Sequence, residues 1–107
     1  MANAADYIAD VQKHAPEATE DEVAKIVKHL GIALRSRDAS LVSCSDPSEL
    51  ARVRESWLKK KLALTDADAD LDAAISGICT TLAGDNTKER VTFYYLLAKH
   101  YGKIASL

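Results

Sequence analysis

Glycine is scarce in this chain, with four in 107 residues, three of them placed where helices would end. Phosphate cradles, a G-x-S-x-G elbow and zinc-ligand spacing are all missing, so no motif argues for an enzyme. The two cysteines, Cys44 and Cys79, each lack a second Cys two or three residues away. That excludes a metal clip or redox pair of the local kind and fits a reducing compartment. No stretch approaches the roughly 18 to 20 consecutive apolar residues of a membrane span. The N-terminal MANAADYIAD has acidic residues where a secretory signal would carry Lys or Arg, so a soluble cytoplasmic protein is expected. Charge of one sign is not in excess either: the net −2 gives no global pull toward nucleic acid or anionic membrane. Strand alternation, hairpin dipeptides, internal repeats and linkers are all lacking.

What is present is helical periodicity. The last segment, Thr87 to about Tyr101, places Val91, Phe93, Tyr94, Tyr95, Leu97, Ala98 and Tyr101 on an apolar arc of roughly 200°, wider than that of a surface helix. It carries the single Phe and three of the four Tyr, so it is expected at the centre. Tyr95, Ala98, Val91 and Tyr94 should be among its most buried residues. Asn86 with Glu89 is expected to cap this helix and Gly102 to stop it.

Four amphipathic helices are expected around it. The first spans 4 to about 14, with Tyr7, Ile8, Val11 and Ala15 on one side and Pro16 closing it. Thr19 with Glu22 forms a capping box for the second. That helix lines up Val23, Ile26, Val27 and Leu30, turns Lys25 and Lys28 to water, and ends at Gly31. Asp46 and Pro47 start a third helix that runs to about Lys60, with Leu50, Val53 and Trp57 as its seam. Leu71, Ile75, Ile78 and Leu82 stripe the next, which Gly84 ends. Ala74, Gly77 and Thr81 on its flank are spaced like a groove for a neighbouring backbone. Residues 32–45 are poorly determined, and Asp38 could cap one turn there. The fold class is therefore all-α: a compact single-domain bundle of five main helices, with room for a short sixth, packed around a central C-terminal helix.

Candidate sites each have an ordinary structural reading. Asp66, Asp68 and Asp70 match the first three ligands of an EF-hand loop, but Leu71 stands where the turn needs Gly, and Gly77 where a bidentate Glu belongs. Carboxylates at a helix N-terminus explain them better. His14, His29 and His100 have no partner three or four residues away and meet only if the fold brings them together. Cys79 falls on an apolar flank, where a free thiol acts as a small hydrophobe.

Charge does segregate: residues 1–30 carry a net −3, residues 31–61 a net +3 and residues 62–107 a net −2. On the third helix Arg52 and Lys59 plot about 20° apart on the face opposite Val53 and Trp57, so both should be solvated. Arg54 plots within the apolar arc and should pair with a carboxylate of another helix.

The order of a short DASLV turn, the SCSDPSELARVRESWLKKKLAL stretch with its acidic-Pro start and Lys-Lys-Lys-Leu ending, and the final TKERVTFYYLLAKHYGK resembles a bacterial family of unknown function, DUF 2853. The likeness spans about Tyr7 to Lys103. It implies a small all-helical bacterial cytoplasmic protein, and it brings no activity, ligand or catalytic residue with it.

Two functions of different class follow as expectations. One is a non-enzymatic helical interaction module that joins itself in a homo-oligomer or binds a protein partner. Its motive is Leu96, which plots among Thr92, Lys99 and Lys103 on the polar side of the last helix. The other is weak nucleic-acid or phosphate-ligand binding through the basic 52–61 segment, where Arg52, Lys59 and Lys60 would meet a polyanion. No cofactor, metal, catalytic residue or membrane partner is expected.

Overall fold

The computed structural model describes residues 4–31, 34, 40–84 and 88–106. Five helices carry the fold among them: α1 (Ala4–His14), α2 (Glu20–Leu30), α3 (Pro47–Arg52, continued by a π-helical stretch Val53–Lys61), α4 (Asp68–Thr81) and α5 (Arg90–His100). A 3-10 turn, Ile104–Ser106, follows. The all-α class expected from periodicity is what forms, and the extended backbone among the described residues is a single antiparallel bridge, Leu41 to Glu89. No described helix is long and apolar enough to cross a membrane.

The local signals act largely as their chemistry requires. Thr19 and Glu22 close a complete capping box on α2, and Gly31 ends that helix at φ +36 with its N–H on the Val27 carbonyl. The Asp46 side chain accepts from the Ser48 N–H at 2.9 Å and starts α3, with Pro47 in the first turn. Gly102, at φ +66, stops the chain after α5. Asn86, the expected cap of α5, lies outside the described residues, as does Asp38. The helix begins at Arg90 after Glu89, which makes no side-chain cap.

α5 is central. Every residue from Arg90 to Ala98 is buried, and the helix packs against α1, α2 and α4. Tyr95, Ala98, Val91 and Tyr94 are at most 4% exposed. Full burial of a side chain such as Phe93 or Leu97 is worth roughly 1.5 to 3 kcal/mol, so this helix carries much of the stability.

Leu96 corrects the sequence reading, because it is 8% exposed rather than solvated. The plot assumed that the polar side of α5 faces water, whereas that side meets α1 through polar contacts. Thr92, one turn before Leu96, is fully buried and donates its hydroxyl to Asp10 of α1. Lys99 pairs with Glu17 in the turn after α1.

The third helix also departs from expectation, widening into π turns at Val53. At that junction the Ser56 hydroxyl donates to the Arg52 carbonyl at 2.7 Å, competing with the α ladder for the same acceptor. The stretch ends with the Leu62 N–H on the Trp57 carbonyl, five residues back. Val53, Trp57 and Leu58 are all fully buried as a result. The expected groove on α4 does not hold a neighbour: Gly77 is exposed, and a Cβ there would meet nothing within 4 Å.

Candidate functional site

The cations that the sequence set apart fall into two groups once their partners are known. Arg54 is structural, as its position in the apolar arc required. Its Nη1 lies 2.9 Å and 3.1 Å from the two carboxylate oxygens of Asp72 on α4, and its Nε 2.8 Å from Glu55. Hydrogen bonds to Glu55 and Asp72 hold its pKa above the usual guanidinium value. Lys59 belongs with it, which corrects the expectation that it is solvated. Its ammonium bonds Asp68 and sits 3.0 Å from Glu55. Those two carboxylates, Asp68 first, push its pKa up, and Lys59 in turn pulls that of Asp68 down. The physical reason is the π geometry, which advances less per residue than an α-helix and so turns Lys59 away from Arg52 and toward α4.

Arg52 is exposed but bonded at 2.8 Å to Glu49. Glu49 is itself buried and also holds Arg90, whose guanidinium reaches the Leu41 carbonyl at 3.1 Å and the Tyr94 hydroxyl at 3.3 Å. Of the three residues expected to meet a polyanion, only Lys60 is both exposed and without a carboxylate partner among the described residues.

A different set of cations converges. Lys25, Lys28 and His29 of α2 and Lys61 at the end of the π stretch line one open depression of about 400 Å³. None of these three lysines forms an ion pair among the described residues, and no carboxylate is among the groups lining the depression. Lysines near helix C-termini ordinarily complement the helix dipole, which suits Lys28 and Lys61. Lys25 sits mid-helix, outside that account.

Trp57 fixes one side of this arrangement. It is fully buried, stacks on Tyr94 with ring centroids 4.6 Å apart and donates its indole N–H to the Tyr94 carbonyl at 3.1 Å. The His29 ring lies tilted against it, centroid to centroid 5.1 Å. Partial burial, then the charge of Lys61, lowers the pKa of His29. Neutral imidazole is thereby favoured while the depression is empty.

The other candidates separate. His100 packs edge-on against Tyr101, and among the described residues no group of three or more His, Cys, Asp or Glu side chains could hold a metal. Asp68 and Asp70 sit in the first turn of α4, and Asp68 is engaged by Lys59. Cys44 and Cys79, expected to be free thiols, form a disulfide across a Cα separation of 6.0 Å. Nothing in their local sequence announced this, since the fold alone brings the 40–46 loop beside α4.

Residues 6–105 match the family described as protein of unknown function, DUF2853. The chain belongs to the DUF2853 family. The match takes in α1 from Asp6 onward, all of α2 to α5 and all four residues of the basic depression. No curated protein matches the chain. Membership in DUF2853 names no activity, so the chemistry of this member has to be read from its own side chains.

Two further features of this DUF2853 chain escaped the sequence reading. The buried Arg90–Glu49 pair had one signal, a basic residue in the first turn of α5, where the dipole disfavours it unless a carboxylate is near. The basic depression had none, because Lys25 and Lys28 look like any solvated helix face until Lys61 is placed beside them.

Proposed function

We propose that this chain is a non-enzymatic binding module that takes an anionic, phosphate-bearing ligand at the depression formed by Lys25, Lys28, His29 and Lys61. The observation that carries this reading is the pairing pattern. Arg54, Lys59, Arg90, Lys99 and Arg52 are each neutralised by a named carboxylate, whereas Lys25, Lys28 and Lys61 have no carboxylate partner among the described residues and share one open surface. Three ammonium groups crowded without counter-charge repel one another, and a bound anion relieves that repulsion. Lysines offer point charges rather than the planar fork of arginine, which suits a phosphate held by charge more than by fixed geometry.

Self-association through Leu96 loses its motive, because that side chain is buried within the chain. We place the protein in the bacterial cytoplasm, as the family resemblance implies. There glutathione and thioredoxin would hold Cys44 and Cys79 as a thiol pair within bonding reach.

The test is a titration with inorganic pyrophosphate at low salt, followed by amide shifts in NMR spectra. The expected result is saturable change centred on Lys25, Lys28 and Lys61. Binding should be lost in Lys25→Ala/Lys28→Ala/Lys61→Ala and kept in Arg52→Ala/Lys60→Ala. Perturbation centred on Arg52 and Lys60 instead would return the site to the segment the sequence first suggested.

A further inference from the structure

We propose that the ligand of this depression is a compact dianion, a single phosphoryl or similar group, and that it is bound together with a proton taken up by His29. The inference rests on the anion-binding reading above and assigns both the ligand class and its regulation. The size of the charged surface argues for a compact ligand. The positive groups that meet here are three amines and one imidazole around a single depression of about 400 Å³, and before Lys25 on the same helix the first turn of α2 is acidic, with Glu20, Asp21 and Glu22. A nucleic-acid backbone places phosphates at every few ångströms, and one running past Lys25 toward the start of α2 would meet that acidic turn. One phosphoryl group meets only the three amines.

His29 is the one group at the site whose charge changes near neutral pH. The charged groups around it are Lys25 and Lys28 from its own helix and Lys61 from the π stretch; α1 and α5, the other helices packed against α2, add none to the lining. In the empty depression these amines make a fourth positive charge unfavourable. A dianion seated among them reverses the local field and offers oxygen atoms to the imidazolium N–H groups. Proton and anion therefore each strengthen the binding of the other, and by linkage the two effects are equal. The tilted contact with Trp57 helps, because an indole face attracts the imidazolium form.

Trp57 is the single tryptophan of the chain and lies against His29, so its fluorescence, which an adjacent imidazolium quenches, reports the protonation of that ring. The experiment is a pH titration of this fluorescence, with the His29 ring proton followed by NMR, in chloride and in sulfate at matched low ionic strength. Sulfate is chosen because it stays a dianion throughout the range in which histidine titrates. The expected result is a His29 midpoint raised by about half to one pH unit in sulfate. Sulfate affinity should then be about three- to tenfold tighter at about pH 5.5 than at about pH 8. His29→Gln should bind sulfate at both pH values with the weaker affinity, and Lys25→Ala/Lys28→Ala/Lys61→Ala should show no sulfate effect on His29. Saturable sulfate binding whose affinity is the same at both pH values, with the His29 midpoint unmoved, overturns the proton linkage and leaves the anion site standing. No saturable sulfate effect in the parent protein, or an effect that survives in the triple lysine variant, overturns both.

Discussion

Opening the Cys44–Cys79 disulfide should lower stability by a predictable amount without changing the fold. The bond joins residues 35 apart in sequence. In the chain-entropy account, closing a loop of that length removes freedom from the unfolded state equivalent to about 4 kcal/mol at 25 °C. The native side loses little, because the 40–46 loop has other attachments. Its Val42 is buried, the Val42 N–H reaches the Lys88 carbonyl at 2.8 Å, and the Ser40 carbonyl accepts from the Arg90 N–H at 2.7 Å. Measured disulfide contributions run at about 2 to 4 kcal/mol, and for a domain of this size each kcal/mol moves the melting temperature by roughly 4 to 5 °C. The expected outcome is a Tm about 8 to 20 °C lower, with helical circular dichroism unchanged below the transition. Urea unfolding of the oxidised protein, the protein reduced with a phosphine, and Cys44→Ala/Cys79→Ala should place the last two together at the lower midpoint. Their m-values should be slightly larger, since an uncrosslinked unfolded chain exposes more surface. Thiol titration decides whether the comparison is valid, counting none before reduction and two after. If the fully reduced protein unfolds at the same urea concentration as the oxidised one, the bond constrains nothing and the argument from loop closure fails.

Three further outcomes follow from side chains already placed. Gly77→Ala should raise stability by about 0.5 to 1 kcal/mol in urea melts, because the added methyl enters open space on an exposed helix face and stiffens the unfolded chain. Glu49→Ala should cost about 3 to 5 kcal/mol by leaving the buried Arg90 guanidinium without its carboxylate, a loss that Arg52→Ala at the exposed end of the same cluster should not approach. Burial, then the hydrogen bond to Glu22, pushes the Tyr95 hydroxyl up to about 12. A folded value above the unfolded one contributes stability that is complete below about pH 10 and declines as pH rises to about 12. Tyr95→Phe should flatten that part of the alkaline denaturation curve relative to the parent.

α5 could be placed from sequence because burial on a wide arc is written into composition: Val91, Phe93, Tyr94, Tyr95, Leu97 and Ala98 allow no solvent-exposed solution. The capping signals Thr19–Glu22 and Asp46–Pro47 were equally readable, since each acts within four residues of itself. What failed were inferences that a polar residue marks water. Thr92 and Lys99 lie on the polar side of α5, yet Thr92 bonds Asp10 and Lys99 bonds Glu17, and Leu96 is buried between these contacts. The third helix failed for a second reason. The turns widen from Val53 onward, and an α plot is out of register by the time it reaches Lys59.

The candidate site was illegible because its identity is a difference between lysines rather than a property of any one. Lys59 and Lys61 stand two residues apart in one basic run, with the same side chain and the same helix. Lys59 is turned toward α4 and closed by Asp68 and Glu55, while Lys61 is turned toward α2, where Lys25, Lys28 and His29 offer no negative charge. Net charge and charge blocks average over that distinction. It is decided by which carboxylate each ammonium can reach, and so by the packing of Trp57 against Tyr94 on one side and His29 on the other. In a chain whose total charge is nearly balanced, unpaired cations gathered on one surface are what an anionic ligand would select. The pairing of Arg54 and Lys59 with α4 is as much a part of that selectivity as the lysines left open.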